Sequence, residues 1–225
     1  MKILILIPAR NESQTIGKVL KELNQSMLFD VLVVDDGSID NTVVHARAEG
    51  AVVLRLCVQL GAWGAIRAGF RYALDKEYEY VITMDADGQH VADSIPHLLE
   101  EIQSSDADVV VGSATQRGNS YKKLAWFILR KLARLQIQDV TSGFRVYNRL
   151  AVQSLLLKET ALLRYQDIGV LMALTNNGFH ISEISVHMTG RISGQSKIFY
   201  SWLAILRYFI FTFILCLTHV GRNSK

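Results

Sequence analysis

The sequence predicts an α/β domain on a mostly parallel sheet. Three observations carry that prediction: apolar, β-branched runs recur through the first half, segments of helical period separate them, and polar clusters stand at their carboxyl ends. Lys2–Ile7 is a continuous apolar run closed by Pro8, the pattern of a strand buried on both faces. Asn11 or Ser13 is placed to cap the following helix, which carries Ile16, Val19, Leu20 and Leu23 on one face. Val31–Val34 supplies a second strand, ending in Asp35-Asp36-Gly37-Ser38. Asp40 caps a helix through Ala48, and Gly50 stops it. Ala51–Leu56 is a third strand and Ala62–Leu74 another helix, while Val81–Met84 and Asp108–Val111 continue the alternation. Ligands of such sheets bind outside the carboxyl ends of the strands, where Pro8-Ala9-Arg10, Asp35-Asp36 and Asp85-Ala86-Asp87 all fall.

Composition bounds the remaining choices. The chain has 225 residues, enough for one core with a short appendage, and half of them are apolar. A net charge of +3 is too small to argue for nucleic acid. Cys57 and Cys216 form neither a disulfide framework nor a zinc-ligand spacing. The apolar N-terminus is too short for a signal peptide and is followed by Arg10 and Glu12, so it reads as the first strand of a cytosolic domain. Neither a G-x-G-x-x-G loop nor a G-x-x-x-x-G-K-S/T loop follows a strand, so a bound nucleotide would be held through metal and acidic groups.

The most informative stretch is Asp85-Ala86-Asp87-Gly88-Gln89-His90. Carboxylates two residues apart on extended backbone point the same way. As hard oxygen donors they suit Mg²⁺ or Mn²⁺, and magnesium commonly shares its shell with substrate phosphates. The plain alternative is a polar turn, which Asp and Gly favour for backbone reasons. His90 is read as structural, since Asp85, Asp87 and Gln89 already supply oxygen.

Five blocks in order settle that choice. Ile7-Pro8-Ala9-Arg10-Asn11-Glu12, Val34-Asp35-Asp36-Gly37-Ser38, Asp85–His90, Asp139-Val140-Thr141-Ser142-Gly143-Phe144-Arg145 and Arg191-Ile192-Ser193-Gly194-Gln195-Ser196-Lys197 resemble the inverting family 2 glycosyltransferases of GT-A fold. Within them the chain is similar to the branch of dolichyl-phosphate mannose synthase and bacterial polyprenyl-phosphate sugar transferases. The resemblance implies transfer of a sugar from a GDP- or UDP-linked donor to a polyprenyl phosphate, with Mg²⁺ or Mn²⁺. It places Pro8, Ala9 and Glu12 at the base and ribose, and Asp36 at the nucleoside. Asp85, Asp87 and Gln89 would hold the metal and donor diphosphate. Arg117, Ser142 and Arg145 would face the acceptor phosphate, and Arg191, Ser196 and Lys197 would close over the diphosphate.

The chemistry is consistent with that allocation. Expelling a diphosphate calls for cationic groups where negative charge builds up, and guanidinium forks suit phosphate. An ionised phosphate acceptor is already a nucleophile and needs no strong base. Asp167 stands where relatives with hydroxyl acceptors keep a catalytic carboxylate, so transfer to a hydroxyl of a glycan or glycolipid is the rival activity. A catalytically silent nucleotide-sugar-binding subunit is the other rival. It rests on Trp63, a large side chain where glycine is usual beside the donor, and on Ala114, where a basic residue is common.

Three segments follow: a catalytic domain over 1–197, an apolar membrane-associated segment over 198–220 and a polar tail over 221–225. Arg117–Arg134 interleaves Lys122, Lys123, Arg130 and Lys131 with Trp126, Phe127, Leu129 and Leu132, a composition suited to an anionic membrane surface. Arg207 interrupts the apolar segment, favouring an interfacial or embedded anchor over a simple span. Pairing with another copy would also shelter Arg207, which leaves a homo-oligomer open. The expected location is the cytoplasmic face of a membrane.

Overall fold

The computed structural model describes residues 1–26, 29–90, 92–113, 130–131, 133, 135–161, 163, 166–188 and 210–214. The expectations for Ala114, Arg117, most of the basic stretch 117–134, Arg191, Ser196, Lys197 and most of 198–220 lie outside the described residues.

Among the described residues, seven strands form one sheet in the order β3-β2-β1-β4-β6-β5-β7. They are β1 Ile3–Ala9, β2 Asp30–Asp35, β3 Val52–Arg55, β4 Tyr80–Thr83, β5 Val109–Ser113, β6 Arg145–Asn148 and β7 Ile181–Ser185. The helices are α1 Ile16–Ser26, α2 Thr42–Ala48, α3 Gly61–Asp75, α4 Ile95–Ser104, α5 Arg149–Ser154 and α6 Ile168–Asn176. All pairings among β1 to β4 are parallel, and β5 is parallel to β7. Of these strands, β6 alone runs against both of its neighbours, β4 and β5.

Burial explains the central strand. Ile3, Leu4, Ile5, Leu6 and Ile7 of β1 are all buried, because helices cover both sides of the sheet. Ile3, Ile5 and Ile7 pack with Ile16, Val19, Leu20 and Leu23 of α1 and with Leu98 of α4. Leu4 and Leu6 face the other way, onto Ile66, Phe70 and Ala73 of α3. Leu6 approaches so closely that a Cβ on Gly69 would lie 2.2 Å from its Cδ1, so Gly69 lets α3 settle on the sheet.

After β3 the chain returns to the other side of β1, which makes the β1/β4 boundary the switch point of the sheet. The polar loops after β1, β2 and β4 therefore open onto one crevice. Among the described residues, no helix is long and apolar enough to cross a membrane. Residues 210–214 are helical, with Ile210, Phe211, Phe213 and Ile214 exposed.

Candidate active site

The loops after β1 and β2 are stitched to each other by side-chain-to-backbone bonds. Asn11, in the left-handed region at φ 51°, donates its N–H to the Ser38 hydroxyl oxygen (2.9 Å), and its Oδ1 accepts from Ile39 N (3.0 Å). The expected helix-capping residue thus ties the two loops together. Glu12 N donates to Thr42 Oγ1 at 2.8 Å, and Ser13 N to Asp40 Oδ2 at 3.2 Å. Asp40 also accepts from Thr42 N at 3.0 Å and from the Thr42 hydroxyl, serving the start of α2 as expected. Partial burial acts to raise the Asp40 pKa, but the bonds from Thr42 and Ser13 outweigh it and hold the carboxyl at about 2. The Glu12 carboxylate accepts from Thr15 Oγ1 at 3.1 Å. Pro8 and Ala9 line the floor at the end of β1, where Ala9 O accepts from Asp36 N at 2.9 Å.

Asp35 and Asp36 are both buried, with different tasks. Asp35 accepts from Ser38 N at 3.2 Å and faces Arg55 Nε at 3.5 Å. Asp36 reaches sideways, accepting from Leu60 N (2.6 Å) and Gly61 N (2.9 Å). Its carboxylate therefore fixes the entry to α3, at the corner expected to take the nucleoside.

Trp63 does not occupy that corner. It is 1% exposed, meets Phe70 edge-on at 6.1 Å and donates from Nε1 to Thr160 O at 2.9 Å. The helix turns its large ring into the core beneath α3.

The loop expected to hold a metal follows β4. Asp87 is buried and its Oδ1 accepts from Gln89 N at 3.1 Å. The Asp85 side chain is 51% exposed. Its carboxylate rests against the bare Cα of Gly143: a Cβ there would stand 2.9 Å from Oδ1 and 3.0 Å from Oδ2. The fit to a divalent ion follows from this donor set. Asp85 and Asp87 supply hard oxygen donors within one loop at the switch point, of the kind that Mg²⁺ or Mn²⁺ takes. Among the described residues no group of three or more His, Cys, Asp or Glu side chains could hold a metal ion.

Gly143 reaches Asp85 because β6 is antiparallel: Arg145 pairs with Thr83, so residues before β6 emerge beside the end of β4. Thr83 Oγ1 donates to Gly143 O at 2.8 Å and lies 2.7 Å from Gln166 Nε2, which also contacts Tyr147 Oη at 2.6 Å. This chain of bonds links the residue before Asp167 to the turn under the metal loop. Sequence reasoning missed Gly143, Thr83 and Gln166 as site-shaping groups. The only signal was a glycine inside the Ser142–Arg145 block.

Ser142 and Arg145, expected at the acceptor phosphate, lie in the turn before β6 and at its first residue. Both are buried, and both are engaged within the fold. The Ser142 hydroxyl donates to Gly112 O at 2.6 Å and accepts from Phe144 N at 3.2 Å. Arg145 donates from Nε to Ser142 O (2.8 Å) and from Nη2 to Val140 O (3.0 Å). These bonds brace the turn that carries Gly143, while Arg145 Nη1 is buried with no hydrogen-bond partner among the described residues. Asp167 caps α6, accepting from Gly169 N at 3.1 Å.

An open α/β sheet with acidic loops gathered at its switch point is an architecture that many ligand-binding enzymes share, and the family comes from comparison with known proteins. Residues 4–156 match the glycosyl transferase family 2, and the chain belongs to that family. It is a glycosyltransferase. It is 31% identical over 214 residues to an undecaprenyl-phosphate mannosyltransferase of Micrococcus luteus, covering 88% of this chain and 87% of the relative. A polyprenol monophosphomannose synthase of Mycolicibacterium smegmatis is 28% identical over 212 residues, 86% of this chain and 80% of the relative. These relatives fall in the branch that the sequence blocks resemble. The fold is also that of glucosyl-3-phosphoglycerate synthase from Mycobacterium tuberculosis, solved with Mn²⁺, uridine diphosphate and glucosyl-3-phosphoglycerate. The TM-score is 0.75 at 20% identity, over 99% of this chain and 81% of the other.

Proposed function

We propose that this enzyme transfers a sugar, with inversion, from a GDP- or UDP-linked donor to a polyprenyl phosphate at the cytoplasmic face of a membrane. The observation that carries the reading is the pair Asp85 and Asp87 at the β4 switch point, with Asp85 seated on Gly143. The names of the two bacterial relatives support the lipid-phosphate acceptor. Pro8, Ala9, Glu12 and Asp36 form the nucleoside corner, and Asp36 orders the Leu60–Gly61 backbone beside it. Asp85, Asp87 and Gln89 would hold Mg²⁺ or Mn²⁺. When bound, that ion supplies positive charge where the diphosphate leaves. Arg191, Ser196 and Lys197 close over the same diphosphate, and Arg117 meets the acceptor phosphate. Ser142 and Arg145 act on the acceptor side by fixing the Val140–Gly143 turn. Asp167 orients groups near the sugar and takes no proton, because the acceptor arrives ionised. The apolar segment 198–220 and the basic stretch before Arg134 bring the rim to the lipid surface.

The test supplies purified protein with radiolabelled donor and undecaprenyl phosphate in detergent, with and without Mn²⁺. Metal-dependent label in the lipid phase is expected. Label that appears only on a hydroxyl acceptor, or donor binding without transfer, overturns the proposal.

A further inference from the structure

We propose that His90 is the positioning residue of the metal loop, holding the Asp85 backbone so that the Asp85 carboxylate stays aimed at the cation. The inference rests on reading Asp85 and Asp87 as the metal pair.

The geometry begins with one bond. Asp85 N–H donates to His90 Nδ1 at 3.0 Å. An amide nitrogen only donates, so Nδ1 is the acceptor and the ring carries its proton on Nε2. That assignment removes both ring nitrogens from direct ligation: the Nδ1 lone pair is taken by the amide, and Nε2 holds the hydrogen. Nε2 lies 3.9 Å from Asp85 Oδ2, too far for a direct hydrogen bond but on the carboxylate's side. The same residue thus engages Asp85 at its main chain and flanks it at its side chain.

Three chain segments meet at this residue, two on its ring and one on its backbone. It is buried, and it stacks on Phe144 with centroids 5.0 Å apart and planes 15° from parallel. Phe144 follows Gly143, the glycine that seats the Asp85 carboxylate. The His90 backbone forms an antiparallel bridge with Met188, just before the Arg191–Lys197 block. His90 is therefore fixed from two sides, by the turn under Asp85 and by the segment leading to the diphosphate-closing block. A residue anchored this way transmits a fixed position to the amide it accepts from. Outer groups that orient metal ligands commonly set affinity by about 10–100-fold.

The experiment measures Mn²⁺ binding directly, from the electron paramagnetic resonance signal of the free ion, with UDP and separately with GDP present. His90→Phe keeps the stack on Phe144 and removes the acceptor. His90→Asn loses the stack but offers an amide oxygen near the Nδ1 position. The expected result is Mn²⁺ affinity lowered about 10–100-fold in His90→Phe and restored in His90→Asn. Wild-type affinity in His90→Phe overturns the proposal, as does an equal loss in both variants. Should His90→Phe fail to fold, His90→Asn decides: wild-type affinity upholds the acceptor role and weakened affinity refutes it. Asp87→Ala separates the two levels of the argument. If it binds Mn²⁺ as the wild type does, the metal pair itself is misassigned. If it loses Mn²⁺ while His90→Phe does not, only the role of His90 falls.

Discussion

Replacing Gly143 by alanine perturbs the site through one methyl group. The new Cβ would stand 2.9 Å from Asp85 Oδ1, 3.0 Å from Oδ2 and 3.2 Å from Cγ, closer than carbon and oxygen settle. The backbone at Gly143 is not in the left-handed region, so alanine fits it and gains about 0.4–1 kcal/mol through the unfolded chain. What must yield is the Asp85 side chain, which is 51% exposed and has room to turn toward water. That distortion costs about 0.5–1.5 kcal/mol. The two terms nearly cancel, leaving stability within about 1 kcal/mol of wild type and Tm within about 2–4 °C. Metal binding has no such compensation. Turning Asp85 away removes one of two protein carboxylates, a loss at least as severe as the roughly 10–100-fold that disturbing an outer group produces. The assay pairs a thermal melt with Mn²⁺ titration and turnover of labelled donor. Full Mn²⁺ affinity and full turnover in Gly143→Ala would refute the seat that Gly143 provides. A collapse in stability would refute the view that only Asp85 has to move.

Trp63→Phe removes a buried hydrogen bond to Thr160 O worth about 0.5–1.5 kcal/mol, so Tm should fall while KM for the donor stays at the wild-type value; a changed KM would put Trp63 back at the donor pocket. Asp167→Asn should keep the α6 cap, since asparagine and aspartate cap comparably, and should keep most transfer to polyprenyl phosphate; lost turnover with intact donor binding would favour a hydroxyl acceptor. The Asp40 carboxyl, depressed to about 2 from 3.8, contributes stability that is fully present above 3.8 and lost as pH falls through about 2. In urea melts the stability gap between wild type and Asp40→Asn should therefore narrow across that window, and a constant gap would contradict the bonding described for Asp40.

The first half of the fold was readable because its strands are uninterrupted apolar runs and its helices have one clear face. Ile16, Val19, Leu20 and Leu23 are all buried where periodicity placed them. β6 was not readable. Arg145-Val146-Tyr147-Asn148 is short and buries an arginine and a tyrosine, so neither alternation nor a continuous apolar run announces it. Its reversal against β4 is a tertiary fact, and the contact between Gly143 and Asp85 depends on it. The carboxylates were legible as residues but not in their directions: the spacing argument assumes extended backbone, whereas Ala86 and Asp87 lie in a turn, with Asp85 half exposed and Asp87 buried. Trp63 shares a helical face with Ile66, Phe70 and Ala73, so periodicity alone implies its burial, whereas the family pattern placed it beside the donor. Ser142 and Arg145 show a related limit: a polar residue in a motif can serve the substrate or its own turn, and the partners that distinguish the two are backbone carbonyls.

The reversed strand also bears on when the enzyme acquires its chemistry. Parallel strands β1 to β4 and the loops between them could assemble from the first part of the chain, yet Asp85 would then lack its seat. Thr83 and Gly143 come together across 60 positions, and that closure requires β6 to insert between β4 and β5. The residues that seat Asp85 thus come from beyond position 140 of the chain, after all of β1 to β4. A chain synthesised only through β4 would carry Asp85 and Asp87 without the glycine that Asp85 rests against, so the surroundings of Asp85 are complete only once β6 has joined the sheet.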